Sequence, residues 1–350
     1  MLHSNYSCVK NYLKILTIDE YSITPKYLQL SNAIIRAIES GDIVKDDMLP
    51  SINDLSFALD TSRNTIERVY KELKDKGIVS SVPGKGFFIS NTDFQKPLKI
   101  FLLFNKLSAH KKIIYDTFVA AIGEQAAIDF YIYNNDFYFF KKIIAESTQS
   151  DYAKYIIIPH FMDNESKAHE IINTIPKDKL ILLDNLVPGV TGKFAAIYEN
   201  FAVDVYEALK GMLNKLSTYN TIKLIFPGKT YHSKEILKGF LNFCRQYAFD
   251  YAVVDSLSAE NIQPQTVYIS LTEDDLVVLI KKVIASNLKV AKDVGVISYN
   301  ETALKEIILD GITTISTDFK LMGSKAAEFA LNNSYEHFAV PFRVTRRSSL

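Results

Sequence analysis

Two sets of residues in this sequence are of types that do recognition chemistry. The first is the run Ser62-Arg63-Asn64-Thr65, with Arg68 one helical turn further on. A guanidinium can bond the O6 and N7 edge of guanine, and an amide the N6 and N7 edge of adenine. A threonine can meet a phosphate or the thymine methyl. Ser51, just after Leu49-Pro50, stands at a helix start where a hydroxyl and backbone N–H groups face a phosphate. Asn53 follows two residues later. Gly84-Lys85-Gly86 sets a cation between two glycines at a turn, within reach of a DNA backbone or minor groove.

The second set is scattered and becomes a set only through the elements that carry it. Residues 99–347 alternate short β-rich runs with amphipathic helices. The spacing predicts strands at 99–104, 128–133, 155–158, 179–184, 222–226, 251–254, 267–271 and 294–298. Helical patterns lie between most of them, as at 111–126, 165–175, 201–216, 233–247, 274–287 and 301–310. Continuous apolar strands alternating with helices read as parallel sheets buried on both faces. Ligands of such sheets sit outside the carboxyl ends of the strands. The residues just past each strand therefore form a candidate ring. Its members are His110, Asn135, Asp136, His160, Phe161, Asp184, Lys234, Glu235, Thr272, Glu273 and Asn300. Carboxylates and amides pair with vicinal hydroxyls, and aromatic rings cover a sugar's C–H face. A monosaccharide fits this chemistry better than a purine or an acid. For any one of these residues a capping or surface role is equally open; the signal is the ring.

The first set needs a different scaffold. Residues 24–90 read as helix, helix, helix, hairpin. Pro25 opens a helix that Gly41 closes, with Leu30, Ile34 and Ile38 on one face. Ser51 caps a second helix, with Asp54 three residues later. A third starts at Thr61 or Ser62 and stops at Gly77, with Ile66, Val69, Tyr70 and Leu73 inward. Two β-rich runs then flank Pro83-Gly84-Lys85-Gly86. Three short helices and a wing make a winged helix-turn-helix, whose third helix enters the major groove. Residues 61–85 hold six basic and three acidic side chains, while 24–90 as a whole is balanced. On charge alone, Arg63 and Arg68 read equally well as solvated helix-face residues.

Composition bounds the answer. The chain has 350 residues, enough for two or three domains at roughly 100–200 residues each. With 40 Lys+Arg against 40 Asp+Glu, it is not a generally polycationic protein. Two cysteines, Cys8 and Cys244, make no disulfide framework, which fits a reducing cytosol. No apolar run of membrane-spanning length and no secretory leader is visible, so we read a cytoplasmic protein with no membrane partner. Residues 1–20 contain Tyr12, Leu13, Ile15, Leu16 and Ile18, and read as either a short extra helix or a tail.

Other motifs fall short. Gly228-Lys229-Thr230 invites a phosphate-loop reading, but the required glycine five residues earlier is Lys223. His110, His160 and His232 fall at strand ends, yet their spacing fits no metal motif. No G-x-S-x-G elbow is present. No cofactor is expected.

The order of words in 24–90 resembles the GntR family of bacterial repressors. The matching words are Tyr27-Leu28-Gln29-Leu30, Leu49-Pro50-Ser51, Asp54-Leu55, Ser62-Arg63-Asn64-Thr65-Ile66, Val69-Tyr70-Lys71-Glu72-Leu73, Lys76-Gly77-Ile78-Val79 and Gly84-Lys85-Gly86-Phe87-Phe88-Ile89. The resemblance implies DNA contacts by Arg63, Thr65 and the wing. Asn53 stands where the family usually carries a DNA-touching Arg. Residues 97–350 resemble the LacI-type sensor, through Lys99-Ile100-Phe101-Leu102-Leu103, Gly239-Phe240, Leu288 to Ser298, Thr313-Thr314-Ile315, Met322-Gly323-Ser324-Lys325-Ala326-Ala327 and Arg346-Arg347-Ser348-Ser349. That resemblance implies two α/β lobes joined by three crossings, near 198–201, 313–318 and 333–341. Here the pattern departs at Ile236, at Thr272-Glu273 and at Asn300, where the family usually has Arg, Asn-Asp and Asp.

The resulting expectation is an α/β protein with an extension at 1–23, a winged domain at 24–90, a linker at 91–98 and a periplasmic-binding-protein-like domain at 99–350. Lobe one would take about 99–198 and 316–334, lobe two about 201–313 and 340–350. The chain would regulate transcription as a homodimer on double-stranded, pseudopalindromic operator DNA. A small carbohydrate, such as an uncharged pentose or deoxyhexose, would shift the population between states. Repression relieved by ligand is what the resemblance implies; activation stays open. Two rivals are an enzyme on a two-lobed fold with the winged domain as a docking module, and a transporting binding protein.

Overall fold

The computed structural model describes residue 12, residues 15–92 and residues 97–350. Residues 1–11, 13, 14 and 93–96 lie outside these; they include most of the expected extension and the middle of the expected linker. The chain divides into two compact units. One is Met1–Leu102 with Glu124–Ile132, the other Leu103–Gly123 with Tyr133–Leu350.

In the first unit, α1 (Lys26–Ser40) follows Pro25 and stops at Gly41, whose φ of +80° suits glycine. Strand β1 (Met48–Leu49) leads to α2 (Ile52–Ala58). The Asp54 N–H donates to Ser51 Oγ at 3.1 Å, and the Ser51 hydroxyl donates to Asp54 Oδ2 at 2.7 Å. This is the reciprocal cap that the sequence predicts. Helix α3 (Arg63–Asp75) is capped by Ser62, which accepts from Thr65 N–H at 3.2 Å. Ile66, Val69, Tyr70 and Leu73 of α3 are buried at helical spacing against Leu30, Ile34 and Ile38 of α1. Strands β2 (Val79–Val82) and β3 (Gly86–Ile89) form the wing, and β1 joins them in the order β1-β3-β2. Tyr12 and Leu16 share this core, so these two residues of the extension belong to the folded domain. Strand β4 (Leu98–Phe104) starts in this unit, and β5 (Ala126–Ile132) belongs to it.

The second unit carries the rest in chain order. After α4 (Ala109–Ile122) come α5 (Phe137–Ser147), β6 (Lys154–Ile157), α6 (Ala168–Ile172), β7 (Leu180–Asp184) and β8 (Ala195–Tyr198). Next are α7 (Phe201–Gly211), α8 (Leu213–Leu216), β9 (Thr221–Ile225), α9 (Lys234–Gln246), β10 (Asp250–Val254), β11 (Thr266–Ser270), α10 (Glu273–Ala285) and β12 (Val294–Tyr299). Last are α11 (Leu304–Ile307), β13 (Thr313–Thr317), α12 (Phe319–Asn332), β14 (His337–Ala339) and β15 (Phe342–Thr345).

The strands build two six-stranded sheets, ordered β14-β8-β7-β6-β4-β5 and β10-β9-β11-β12-β13-β15. In the second sheet every pair is parallel except β13 with β15. In the first, β14, β8, β7 and β6 run parallel, and the Ile158 N–H reaches Leu103 O at 3.0 Å. The chain passes from the first sheet to the second at 199–200, returns at 318, and leaves again at 340–341. All residues of β6, β7, β11, β12 and β13 are buried, because helices cover both faces.

Each expected strand appears within two residues of its predicted bounds. The structure adds β1, β8, β13, β14 and β15. Of these, β13 reads Thr-Thr-Ile-Ser-Thr, too polar to signal a buried strand, yet the hydroxyls of Thr313, Thr314 and Ser316 are bonded by neighbours. The Thr313 hydroxyl, for example, donates to Arg347 O at 3.1 Å. The helical pattern at 301–310 shortens to α11 and a 3-10 turn, broken where Leu309 takes a left-handed conformation.

Candidate functional site

The carboxyl ends of both sheets frame one small cavity in the second unit. Lys111 comes from α4, one residue past His110. His160, Asp184 and Glu199 follow β6, end β7 and follow β8. Tyr231, His232 and Ser233 precede α9, and Tyr299 and Asn300 close β12. Phe201 and Ile236 add apolar walls, and the cavity they complete has a volume of about 30 Å3.

Asp184 is the hub. Its Oδ2 lies 2.8 Å from His160 Nε2 and 3.3 Å from Lys111 Nζ, and all three side chains are buried. Lys111 also donates to Asn105 Oδ1, and Asn105 Nδ2 donates to Asn135 Oδ1 at 2.5 Å. Burial would raise the Asp184 carboxyl, but the Lys111 charge and the His160 hydrogen bond hold it well below the usual carboxylate range. The opposite happens beside it. Burial, then the Asp184 charge, push the Glu199 carboxyl well above its ordinary value. Glu199 therefore favours its protonated form far more than a free glutamate does; it bonds Asp184 and accepts from the Tyr299 hydroxyl at 3.0 Å. Burial, reinforced by the Lys111 charge, lowers His110 to about 3. Burial, with His160 next, lowers His232 to about 3. Both rings are neutral at pH 7.

Two cavity-lining atoms, Asn300 Oδ1 and His232 Nε2, are buried without a hydrogen-bond partner. Such atoms are rare in folded proteins and mark places where something else must bond. The cavity is bridged on its rim. Lys106 donates to the Tyr231 hydroxyl and lies 4.2 Å from that ring's centroid. Asn300 Nδ2 donates to His110 Nε2 at 3.4 Å. Lys111 and Asp184 cancel in charge, His110 and His232 carry none, and Glu199 is biased to its neutral form, so the lining suits an uncharged, hydroxyl-bearing guest.

Of the residues singled out from sequence, His110, His160, Asp184 and Asn300 meet around this space. Asn135 backs it through Asn105. Phe161 is packed in an aromatic cluster with Tyr133, Phe137 and Phe140. The rest stand outside the lining. Asp136 is exposed and caps α5, accepting from Phe139 N–H at 2.8 Å. Thr272 caps α10, accepting from Asp275 N–H at 3.1 Å. Glu273, exposed, accepts from the Thr302 hydroxyl at 3.1 Å. Lys234 and Glu235 are exposed on α9, and Glu235 pairs with Lys238 at 3.1 Å.

Sequence reading passed over Lys111, Glu199 and Phe201. Lys111 sits on the first turn of a helix, one residue beyond where the strand-end rule stops. Glu199 and Phe201 flank a crossing read as a connector. A lysine and a glutamate in otherwise apolar surroundings were the available signal. Among the described residues, no group of three or more His, Cys, Asp or Glu is placed to hold a metal ion.

The first unit presents a polar face built on α3. Arg63 and Asn64 are exposed at its start, beside the capping Ser62, and Arg63 Nε pairs with Glu67 at 2.9 Å. Arg68 is stacked on Tyr27 of α1, 3.6 Å from the ring centroid, and donates to its hydroxyl at 2.8 Å. Lys26, Tyr27, Asn64, Thr65 and Arg68 line a shallow groove there. Ser51 and Asn53 are exposed on α2, where Ser51 is occupied as a cap. Gly84 and Gly86, at φ +72° and +108°, hold the exposed Lys85 at the wing tip. No helix among the described residues is long and apolar enough to cross a membrane.

Comparison with known proteins agrees with both halves. Residues 26–89 match the family described as bacterial regulatory proteins, gntR family. The HTH-type transcriptional repressor YtrA of Bacillus subtilis (strain 168) is 33% identical over 76 residues, which are 22% of this chain and 58% of that protein. The arabinose metabolism transcriptional repressor of Geobacillus stearothermophilus is 33% identical over 66 residues, 19% of this chain and 18% of that one. The chain thus spans less than two thirds of these relatives. The dimeric Lac repressor with an 11-residue C-terminal deletion superposes with a TM-score of 0.61 at 14% identity, covering 72% of this chain and 98% of that one. The chain therefore joins an N-terminal winged helix-turn-helix domain of the gntR family of bacterial regulatory proteins to a two-lobed α/β domain with the fold of the Lac repressor.

Proposed function

We propose that this protein is a sequence-specific, DNA-binding transcriptional regulator controlled by a small uncharged carbohydrate. The winged domain, 24–90, reads operator DNA through Arg63, Asn64, Thr65 and Arg68. Ser51, Asn53, Ser62 and the Gly84-Lys85-Gly86 wing position it on the backbone. The domain at 99–350 holds the effector around Asp184. The protein acts in the cytoplasm as a homodimer, represses a sugar-utilisation operon and carries out no catalysis. The relatives that are repressors, one of arabinose metabolism, support this reading.

The observation that carries the effector assignment is the pair of orphaned polar atoms, Asn300 Oδ1 and His232 Nε2, in a lining whose one Lys or Arg side chain is already committed to Asp184. A ligand with hydroxyl groups, which both donate and accept, satisfies both atoms. A phosphate would face the Asp184 carboxylate and find no free ammonium in the lining. Exposed Lys229 pairs instead with Asp163 at 3.4 Å.

The test is thermal unfolding of the purified chain against a panel of free and phosphorylated monosaccharides. A ligand at 100 times its Kd adds about 2.7 kcal/mol of stability, expected for a free sugar and not for its phosphate. Stabilisation by phosphorylated sugars alone would refute the uncharged assignment. Silence across the panel would remove sugar as the signal.

A further inference from the structure

The segment before α1 does more than lead into it. Within the first unit, residues 19–24 lie antiparallel against β5, with Ser22 opposite Tyr131. The Ile23 N–H donates to Phe130 O at 2.7 Å. Thr24, buried, bonds the strand twice: its hydroxyl donates to Ile128 O at 3.2 Å and accepts from Phe130 N–H at 2.8 Å. The Tyr131 hydroxyl donates to Asp19 Oδ2 at 2.9 Å, and the Ser22 hydroxyl to Phe130 O at 3.3 Å. The segment therefore covers the outer edge of β5, the last strand of its sheet.

The same residues are held from the other side by α1. Gln29 is buried, and its side chain accepts from Asp19 N–H at 2.9 Å and donates to Thr24 O at 2.8 Å. Two residues before Gln29 stands Tyr27, on whose ring Arg68 of α3 is stacked. One unbroken run of bonds thus links β5, residues 19–24, α1 and the base-reading face of α3. Nothing in the fold of a winged domain requires such a strap, since its own core closes without β5.

We propose that residues 19–24 form a regulatory latch, through which the position of β5 sets the presentation of α3 to DNA. This rests on the reading of α3 as the DNA-recognition helix. A held latch keeps Tyr27 and Arg68 in their stacked arrangement. A released one frees α1 from β5 and changes DNA affinity without altering any residue that touches DNA.

Ser22 and Tyr131 face each other in a pair without mutual backbone bonds, the closer of the two antiparallel spacings, which suits a disulfide. The full-length chain would carry Ser22→Cys with Tyr131→Cys in a Cys8→Ser background, so that oxidation locks the latch and dithiothreitol removes the lock while the Ile23 and Thr24 bonds remain. Thr24→Val opens it by a second route that keeps side-chain shape. The probe is the duplex that the wild-type chain enriches from a random double-stranded DNA pool, with affinity read by fluorescence anisotropy. Hydrogen exchange at the Ile23 and Phe130 amides reports the latch itself. We expect these amides to exchange at least tenfold faster in Thr24→Val, with amides of the α3 centre unchanged. We expect a fivefold or larger change in duplex affinity between the oxidised form and Thr24→Val, with the reduced form between them. Equal affinity in all three forms would overturn the latch while leaving the DNA reading intact. If the wild-type chain enriches no duplex, the DNA reading fails, and with it the latch as a regulator of DNA binding. Unchanged exchange in Thr24→Val would overturn the latch on its own.

Discussion

Asp184 Oδ2 lies 3.3 Å from Lys111 Nζ, and the two side chains are 6% and 4% exposed. A buried ion pair of this kind is seldom kept for stability alone, because the desolvation of both charges offsets most of their attraction. It lies among the residues that line the cavity, and in the effector site proposed above its second use is to aim Asp184 and His160 at the guest.

Asp184→Asn should abolish effector binding and cost about 3–5 kcal/mol, because Lys111 is left buried and unpaired. Lys111→Met with Asp184→Leu should recover much of that stability and none of the binding. By contrast, Asp136→Ala should cost only about 1 kcal/mol, the value of a helix cap, and leave effector affinity unchanged. Glu273→Ala should likewise spare affinity. Calorimetric titration with the stabilising sugar, beside urea unfolding, separates these cases; loss of binding in Asp136→Ala and not in Asp184→Asn would move the site.

Acid should destabilise the protein with a slope that names its causes. His110 and His232 are held near 3, against 6.5 when unfolded, so below 6.5 the unfolded chain takes up protons that the folded chain refuses. Each ring removes about 1.4 kcal/mol per pH unit. Glu199 works the other way. Its raised value means that above 4.5 the folded chain keeps a proton that the unfolded chain loses, so acidification relieves that term. The two rings together remove about 2.7 kcal/mol per unit below pH 6.5, and Glu199 offsets part of this loss above pH 4.5. His232→Gln should flatten this stretch and Glu199→Gln should steepen it. Urea unfolding at several pH values in that window reads both, and a slope unchanged in His232→Gln would mean that its ring is not buried neutral.

On the DNA side, Arg63→Ala should cost about 1–3 kcal/mol and relax base preference at one position. Lys85→Ala should weaken all duplexes about equally and reduce the salt dependence by about one counterion. Anisotropy across a set of single-base variants and two salt concentrations distinguishes the roles. A uniform loss for Arg63→Ala would make it a phosphate contact.

Gly239 tests the packing of lobe two. A Cβ built there would stand 2.4 Å from Ala202 O, where α9 crosses α7. Gly239→Ala should cost about 1–3 kcal/mol as an overpacked contact. Gly211→Ala, with nothing within 4 Å of the new carbon, should be neutral or stabilising by up to about 1 kcal/mol. Thermal melts of the pair suffice, and equal effects would mean that the two helices move apart at no cost.

Sequence alone determined whatever depends on neighbours in the chain. The stripe Ile66, Val69, Tyr70 and Leu73 can bury only as a helix. Ser51 and Ser62 can cap only the helices that start beside them, and Gly41 and Gly84 can turn where other residues strain. The apolar runs of β6, β7, β11 and β12 could be buried only in covered parallel sheets, and that set the strand ends where the cavity was sought. Tertiary structure decided which polar residues at those ends face inward. Asp136, Thr272 and Asp184 look alike as strand-end polar residues. The first two spend their oxygens on helix N–H groups, while Asp184 is turned inward by its left-handed backbone, φ +75°, toward Lys111 and His160. Glu199 became an acid and Asp184 an anion only once the fold set them side by side. The bonds of residues 19–24 to β5 join positions more than 100 residues apart, a pairing that neither periodicity nor propensity can express.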